Sequence, residues 1–411
     1  ITGTGGVKRA QHTQRVLDGM TALDPHQRRN PALGISIANV VGTVGQHKII
    51  RIPLDQPTHH IHLPHDPRRV AGLTAADDLA GYGVDVSLFE KAAFLGGHAI
   101  QLSCKAAPDC VKCGACMAAD KLLRACSHER VAVHTGAQID AILPGPPFQV
   151  EYSLLTDGKS ADRLAVDAVL LTTGFLPYDP TPKPYGYGRF QNVMTSLDAE
   201  RRLRQDGVLL RPSDGKSAER IAFIQCVGSR DTTLGHSWCS KICCGSSLRM
   251  ARRIQSHQAS VRATCFYIDV QTFGKDFAVQ YPLLQDEIEM IRAIPGDILS
   301  AGDGDLNVVY FDPDKREAAE VRFDAVILSI GLTPSPDTTL LAGMLRWPQD
   351  QSGFLVQLAS GTASSARGVF TAGTVLGPMS IAESIGSAEQ AVWEIIQFLN
   401  RGDTIGVQPK R

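Results

Sequence analysis

Long apolar runs are missing from this chain. No stretch of about 18 or more uncharged apolar residues occurs, which excludes the usual signature of a membrane-spanning helix. The opening residues also lack a charged-then-apolar leader pattern, so the expectation is a cytoplasmic protein with no membrane span. Charge of one sign is lacking as well: 41 Lys and Arg stand against 42 Asp and Glu, for a net charge of -1. With no excess field to attract a polyphosphate, no nucleic-acid partner is expected. Internal repeats and low-complexity tracts are absent, and 43% hydrophobic against 20% charged residues exclude a disordered or collagen-like chain. At roughly 150 residues per domain, a chain of 411 residues has room for two or three domains and a large core.

What the chain does have is cysteine, ten of them, and they are not scattered. Cys104, Cys110, Cys113, Cys116 and Cys126 form one group; Cys226, Cys239, Cys243 and Cys244 form a second; Cys265 stands alone. In a short secreted chain such clusters would read as disulfides. In a long chain without an export signal they point to metal or redox chemistry. Cys265, inside an apolar strand, is most simply a buried small hydrophobe.

Residues 1 to 69 differ from everything after them. They hold seven of the twelve histidines (His12, His26, His47, His59, His60, His62 and His65), nine Lys and Arg, four Asp and no Glu, so their net charge is +5 and that of the remainder is -6. Apart from a candidate short strand at Gly34 to Val44, neither helical period nor alternation is sustained. The imidazoles of HHIHLPHD would bind zinc if they shared one face. Nothing in their spacing places them so, and a polar, loosely folded arm is the simpler reading.

From Val70 the pattern becomes regular. VAGLTAADDLAGYG reads as a helix closed by Gly81 and Gly83, and VDVSLFE follows as a strand ending in an acid, the second half of a βαβ unit. Further strands are expected at Asp167 to Gly174, Arg220 to Ser229, Val261 to Asp269, Leu306 to Asp312 and Asp324 to Gly331. These unalternated apolar runs suit strands covered on both faces. A helix at about Ser380 to Leu399 closes the regular part.

A dinucleotide site needs glycines where the first strand turns into a helix, so that backbone N–H groups can approach the pyrophosphate, and an acid roughly 20 residues on for the ribose. Glu90, with Lys91 beside it, is placed for that acid, 18 residues after Gly72, and Gly96-Gly97 then permits close backbone approach. The loop itself is damaged: Pro67, Arg68, Arg69, Val70 and Ala71 stand before the one surviving glycine, Gly72. LLTTGFLP, with Thr173 and Gly174, and LSIGLTPSP, with Gly331, are paired strand-to-glycine turns of the kind that joins a flavin domain to an inserted second domain. GVFTAGTVLGPMSIAES presents Ala372-Gly373 and a helix start at Ile381 toward a flavin. Together, in this order, these signals predict FAD binding. His98, after Gly97, is read as a surface imidazole, and Lys275 in TFGKDF as a solvated lysine or a partner of reduced flavin.

From Val70 to Leu399 the chain resembles the two-dinucleotide-domain flavoproteins related to thioredoxin reductase, and within them the A-subunit family of heterodisulfide reductases. YGYGRFQNVMTSLDAERRL, LRPSDGKSAERIAFIQCVGSRD, WCSKICC and FYIDVQTFGKDF carry the resemblance. With no C-x2-C-x2-C-x3-C-P ferredoxin pair, the chain looks more like the heterodisulfide-reductase-like A subunit of sulfur oxidisers. The implied fold is α/β, a two-dinucleotide-binding-domain (Rossmann-like) flavoprotein whose FAD domain is split by an inserted second α/β domain. The expected divisions are an atypical segment at 1–69, FAD-domain parts at 70–182 and 320–400, the second domain at 183–319 and a tail at 401–411. Since the resemblance begins abruptly at Val70, residues 1 to 69 are expected not to derive from the family's reading frame.

In an ordinary pyridine-nucleotide enzyme the strand at Arg220 to Ser229 would lead into a second glycine loop; here it leads into Cys226-x12-Cys239-x3-Cys243-Cys244. Four thiolates suit a cubane, one per iron, although zinc also takes four. The resemblance implies an unconventionally ligated [4Fe–4S] cluster on these four residues. Because Gly228 alone remains at the phosphate turn, NAD(P)H is not expected as a direct substrate. The first group, Cys104-x5-Cys110-x2-Cys113-x2-Cys116, reads either as a second cluster, with Cys104 or Cys126 as fourth ligand, or as a dithiol/disulfide centre beside the flavin. The implied function is an FAD- and [4Fe–4S]-containing electron-transfer subunit of a heterodisulfide-reductase-like complex, with partner subunits and homodimerisation. The alternative is a self-contained flavin disulfide reductase using Cys113 and Cys116.

Overall fold

Ala168–Leu171 and Ala325–Ile330 are buried at every position, which requires cover on both faces of the strands they form. Each sits inside a separate five-stranded sheet. The computed structural model describes residues 70–155, 162–274, 276–358 and 367–401, together with the backbone of Ala38–Thr43. The histidine-rich remainder of residues 1–69, including Pro67 to Arg69, and Lys275 lie outside the described residues.

In chain order the first elements are β1 (Ala38–Thr43), α1 (Val70–Gly81), β2 (Asp85–Glu90), α2 (Ala115–Ser127), β3 (Val131–Thr135), β4 (Ala137–Leu143), β5 (Phe148–Leu154), β6 (Asp162–Val166) and β7 (Ala168–Leu171). There follow β8 (Phe175–Pro177), β9 (Val193–Thr195), α3 (Ser196–Asp206), β10 (Arg220–Val227), α4 (Cys243–His257), β11 (Arg262–Phe266), α5 (Phe277–Glu287) and β12 (Glu289–Ile291). The last are β13 (Asp297–Gly302), β14 (Asp305–Asp312), β15 (Glu317–Phe323), β16 (Ala325–Ile330), β17 (Leu332–Pro334), α6 (Pro336–Leu345), β18 (Val369–Thr371) and α7 (Ile381–Arg401).

The first sheet has the order β18-β7-β1-β2-β3. α1 and α7 pack together on it, and Leu73, Leu79, Val86, Leu88, Leu170, Ala388 and Val392 share one core. The strand expected at Gly34 to Val44 is present as β1, but it runs antiparallel to both β2 and β7. A strand feeding α1 through a phosphate loop would run parallel to β2, because a βαβ crossover returns the chain in the same direction. β1 thus fills this slot of the sheet in the direction opposite to that of a phosphate-loop strand.

The second sheet, β12-β11-β10-β16-β9, is parallel throughout. β16 therefore lies with the second unit, on the far side of the boundary expected at 319/320. Two antiparallel meanders, β4-β5-β6 and β13-β14-β15, flank the two sheets. Leu306 to Asp312 is accordingly corrected: β14 is the middle strand of a meander whose burial alternates, not a strand covered on both faces. Val308 and Tyr310 face the core while Asn307 and Val309 stand half-buried, and the apolar residue on that outer face concealed the period of two. β8 and β17 pair antiparallel, so the two glycine turns read from the sequence meet as one two-stranded crossover ribbon between the sheets.

Sequence reading missed α2, although its signals were present. Gly114 in the left-handed region starts it, and Ala115, Ala118, Leu122 and Ala125 bury one face at helical spacing.

Candidate flavin and cysteine site

On the flavin side the glycines sit where a side chain would collide. A Cβ on Gly72 would come within 2.7 Å of Thr172 Oγ1, and one on Gly373 (φ 75°) within 2.7 Å of Ala71 Cβ. The start of α1, the end of β7 and the Ala372-Gly373 turn thus meet at one point, the close helix–strand approach that dinucleotide folds use. Glu90 is 1% exposed at the end of β2 and accepts a hydrogen bond from Ala92 N at 2.8 Å. Lys91 lies 3.7 Å from Asp337, and Thr173 Oγ1 is 2.9 Å from Thr338 Oγ1. Gly96, Gly97 and Gly174 hold φ of 96°, 53° and 77°, left-handed turns that favour glycine. Thr74 and Thr374 are buried with hydroxyls that have no protein partner. Two orphaned hydroxyls beside this glycine junction fit a bound polar ligand such as FAD.

His98 departs from the expectation of a surface imidazole. It is 2% exposed and lines a cleft with Leu102, Phe175, Glu200, Cys243 and Gly331, because the Gly96-Gly97 turn drives the chain inward rather than along the surface. Gly331 is wedged on the other side of this cleft. Its N–H donates to Val227 O at 2.7 Å, and a Cβ there would lie 2.9 Å from Gly228 O.

The second cysteine group sits on the turn from β10 to α4. Cys226 is the penultimate residue of β10, while Cys243 and Cys244 begin α4, where the helix dipole favours negative charge. Cys226 and Cys244 both hydrogen-bond to Cys243; these bonds pull the Cys244 thiol down to about 7 and the Cys226 thiol below its ordinary range, and hold the Cys243 thiol above it. Cys239 Sγ accepts from Lys241 N at 3.3 Å. Cys226, Arg230 and Lys241 all adopt left-handed φ, of 60°, 55° and 61°, and such non-glycine positions concentrate at functional sites. The loop is stapled to the crossover ribbon: Trp238 Nε1 donates to Leu332 O at 2.9 Å, and Leu332 N donates to Ser240 Oγ at 2.8 Å. Lys241 Nζ reaches Glu383 at 2.8 Å, tying the loop to the start of α7.

The space over Gly228 is closed by Tyr178, whose ring would lie 2.0 Å from a Cβ there. Tyr178 begins an aromatic chain through His236, Trp238 and Phe354, with centroids 5.8, 4.7 and 5.5 Å apart.

The first group occupies an irregular loop and the start of α2. Cys104, Cys110 and Cys116 are exposed and Cys113 is half-buried; Cys126 is exposed further along α2. α3 clamps the loop's beginning. Glu200 Oε2 accepts from Ser103 N at 2.8 Å and from Ser103 Oγ at 2.7 Å, Glu200 Oε1 lies 2.5 Å from Lys105 Nζ, and Arg201 donates to Gln101 Oε1 at 2.6 Å. Glu200 and Lys105 are 2% and 3% exposed. At the other end Gly114 packs on Ile381, the first residue of α7. The two cysteine groups therefore flank the same helix start.

Among the described residues no group of three or more His, Cys, Asp or Glu is arranged to hold a single metal ion. A cubane attaches each thiolate to a different iron, and the four thiols here come from a strand end, a loop and a helix start. Cys265 is 1% exposed in β11, and burial pushes its thiol up to about 12.

This architecture defines a class. The chain has the two-dinucleotide-domain flavoprotein fold, as in thioredoxin reductase from T. acidophilum (TM-score 0.55, 19% identity, 81% of this chain and 95% of that one) and thioredoxin reductase from Lactococcus lactis (TM-score 0.55, 18% identity, 82% and 100%). The particular relatives are A subunits of heterodisulfide reductases. One is the A subunit of the H2:CoB-CoM heterodisulfide,ferredoxin reductase of Methanothermobacter thermautotrophicus, 34% identical over 239 residues, 56% of this chain and 36% of that protein. Another is the iron-sulfur A subunit of the CoB-CoM heterodisulfide reductase of Methanocaldococcus jannaschii, 35% identical over 240 residues, again 56% and 36%. The chain thus spans about a third of the length of the curated relatives it matches. No protein-family model matches it.

Proposed function

We propose that this chain is an FAD- and [4Fe–4S]-containing electron-transfer subunit of a heterodisulfide-reductase-like complex, working in thiol/disulfide or sulfane-sulfur redox metabolism of the sulfur-oxidising type. The observation that carries the reading is the placement of Cys226, Cys239, Cys243 and Cys244 on the β10-to-α4 turn, where an ordinary member of the fold would bind nicotinamide phosphates. Gly72, Glu90, Lys91, Gly96, Gly97, Thr173, Gly174, Gly331, Ala372, Gly373 and Ile381 would hold the FAD. A bound flavin accepts electron pairs and releases them singly, and a cluster accepts one at a time. Around them the chain's own residues position and insulate: Trp238, Ser240 and Lys241 anchor the cysteine loop to the crossover ribbon and to α7. Tyr178 packs over Gly228, which supports the reading that NAD(P)H is not the direct electron donor. Cys104, Cys110, Cys113 and Cys116 would hold a second cluster or serve as a thiol relay toward partner subunits. The protein itself would dimerise and act in the cytoplasm, where thiols stay reduced.

Anaerobic purification with iron and flavin counts tests this. Flavin with about four or eight irons per chain is expected; single Ser replacements at Cys239, Cys243 and Cys244 should lower the iron and abolish the paramagnetic signal of the reduced cluster while leaving much of the flavin. Flavin without iron would overturn the reading in favour of a Cys113/Cys116 dithiol reductase. Rapid bleaching of the flavin by NADH or NADPH would overturn the closed nicotinamide site.

A further inference from the structure

Arg230 sits four residues after Cys226 and nine before Cys239, in a left-handed conformation (φ 55°) that no glycine relieves. Its backbone N–H donates to Trp238 O at 2.9 Å, which closes the loop between the two cysteines. Its guanidinium makes a two-pronged pair with Asp269, at 2.5 and 3.0 Å, and Gln271 Nε2 holds the same carboxylate at 3.0 Å. Asp269 also turns its backbone carbonyl to Cys244 Sγ, 3.9 Å away. The guanidinium and the Cys226 thiol hydrogen-bond, and its charge also reaches Cys239. Lys241, also near these thiols, sends its ammonium away to Glu383 and over the Phe273 ring. Arg230 is therefore a charge fixed beside Cys226 and Cys239, and Asp269 is the anion that fixes it. Arg292, on the far side, donates to Ile268 O and faces Asp269.

We propose that Arg230, held in place by Asp269, compensates the negative charge of the group bound by Cys226, Cys239, Cys243 and Cys244 and thereby sets its reduction potential. The inference rests on the cluster reading above. One-electron reduction adds one negative charge to a cluster whose four thiolates are already anionic; the electron comes from reduced flavin, which is oxidised by one electron. A guanidinium stays protonated throughout and supplies charge without a proton. Net charge and hydrogen bonds to sulfur are the protein's means of moving such a potential. The pair is partly solvent-exposed, with side chains 27% and 40% accessible, so screening keeps the effect moderate.

The test is an anaerobic redox titration of the purified full chain with dithionite and mediators, read by the signal of the reduced cluster, with iron counted in each variant. Arg230→Gln should keep its iron and shift the midpoint to lower potential. Arg230→Lys, which retains the charge but not the fork, should stay near the parent. Asp269→Asn removes the opposing charge and should shift the midpoint the other way. Opposite signs for the two neutralised variants are not what a merely structural role produces. An iron-loaded parent with unmoved midpoints in Arg230→Gln and Asp269→Asn overturns the inference alone, as does a shift in Arg230→Lys as large as that in Arg230→Gln. If Arg230→Gln loses iron, the sign of the Asp269→Asn shift decides, and an unmoved or lowered midpoint overturns the proposal. A parent without iron overturns the cluster reading and this inference with it.

Discussion

The two cysteine groups are built on opposite principles. The second uses the stiffest part of the chain: Cys226 is in a parallel strand, Cys243 and Cys244 begin a 15-residue helix, and both of these are buried. The first uses a loop whose Cys104, Cys110 and Cys116 face solvent, and its order comes from elsewhere, through the buried Glu200–Lys105 pair and Ser103. A regular scaffold pre-organises its ligands by its own hydrogen bonds, whereas a loop must borrow rigidity from a neighbour. The more buried group suits the cluster proposed above, and the exposed one the proposed relay toward partner subunits.

Iron content breaks the comparison most decisively. Cys244→Ser should remove the iron of the second group outright, whereas Cys110→Ser should leave that iron in place and change only what the first loop holds; equal losses in both would mean a shared centre and erase the distinction. Next in size is the borrowed rigidity. Glu200→Ala leaves Lys105 buried without its carboxylate and should cost about 3–5 kcal/mol, read as a fall in Cm during urea unfolding, with the first loop becoming sensitive to limited proteolysis. Comparable stability in the variant would show that the loop is ordered some other way. On the second side, Gly228→Ala places a methyl group against the Tyr178 ring at a left-handed backbone position and should cost about 1–3 kcal/mol. Thiol alkylation sharpens the contrast without mutation: in metal-free native protein Cys104, Cys110 and Cys116 should label first, and Cys265 only on unfolding, as peptide mapping by mass spectrometry would report. Early labelling of Cys265 would contradict its burial in β11.

The smallest effect lies on the flavin side. His134 stacks on Phe89 at 4.6 Å, and burial holds its imidazole below the ordinary 6.5. As pH falls just below 6.5, the unfolded chain takes up this proton before the folded one, so stability rises with pH across that window. His134→Phe should flatten that part of the Tm-against-pH curve; an unchanged curve would remove His134 as its source.

Most of this site could be read along the chain, residue type by residue type. Gly72 and Glu90 show through their spacing, and the cysteines through their clustering, since both are properties of neighbours in sequence. The helix α2 was legible too, had Gly114 and the buried positions Ala118, Leu122 and Ala125 been weighed against the cysteines beside them. What could not be read was which distant partner each segment meets. Glu200 lies 97 residues from Ser103, and Asp269 lies 39 from Arg230.

The sequence by itself determined the α/β class, the order of the flavin signals, the two cysteine groups and the foreign character of residues 1 to 69, because hydrophobic period, glycine turns and composition are local and survive in one dimension. Only the tertiary structure decided that β1 enters its sheet antiparallel, that β16 joins the second sheet, that His98 turns inward and that both cysteine groups converge on the start of α7. Strand direction, sheet membership and burial are settled by long-range packing, where the apolar face of each segment finds the only cover that also pairs its backbone.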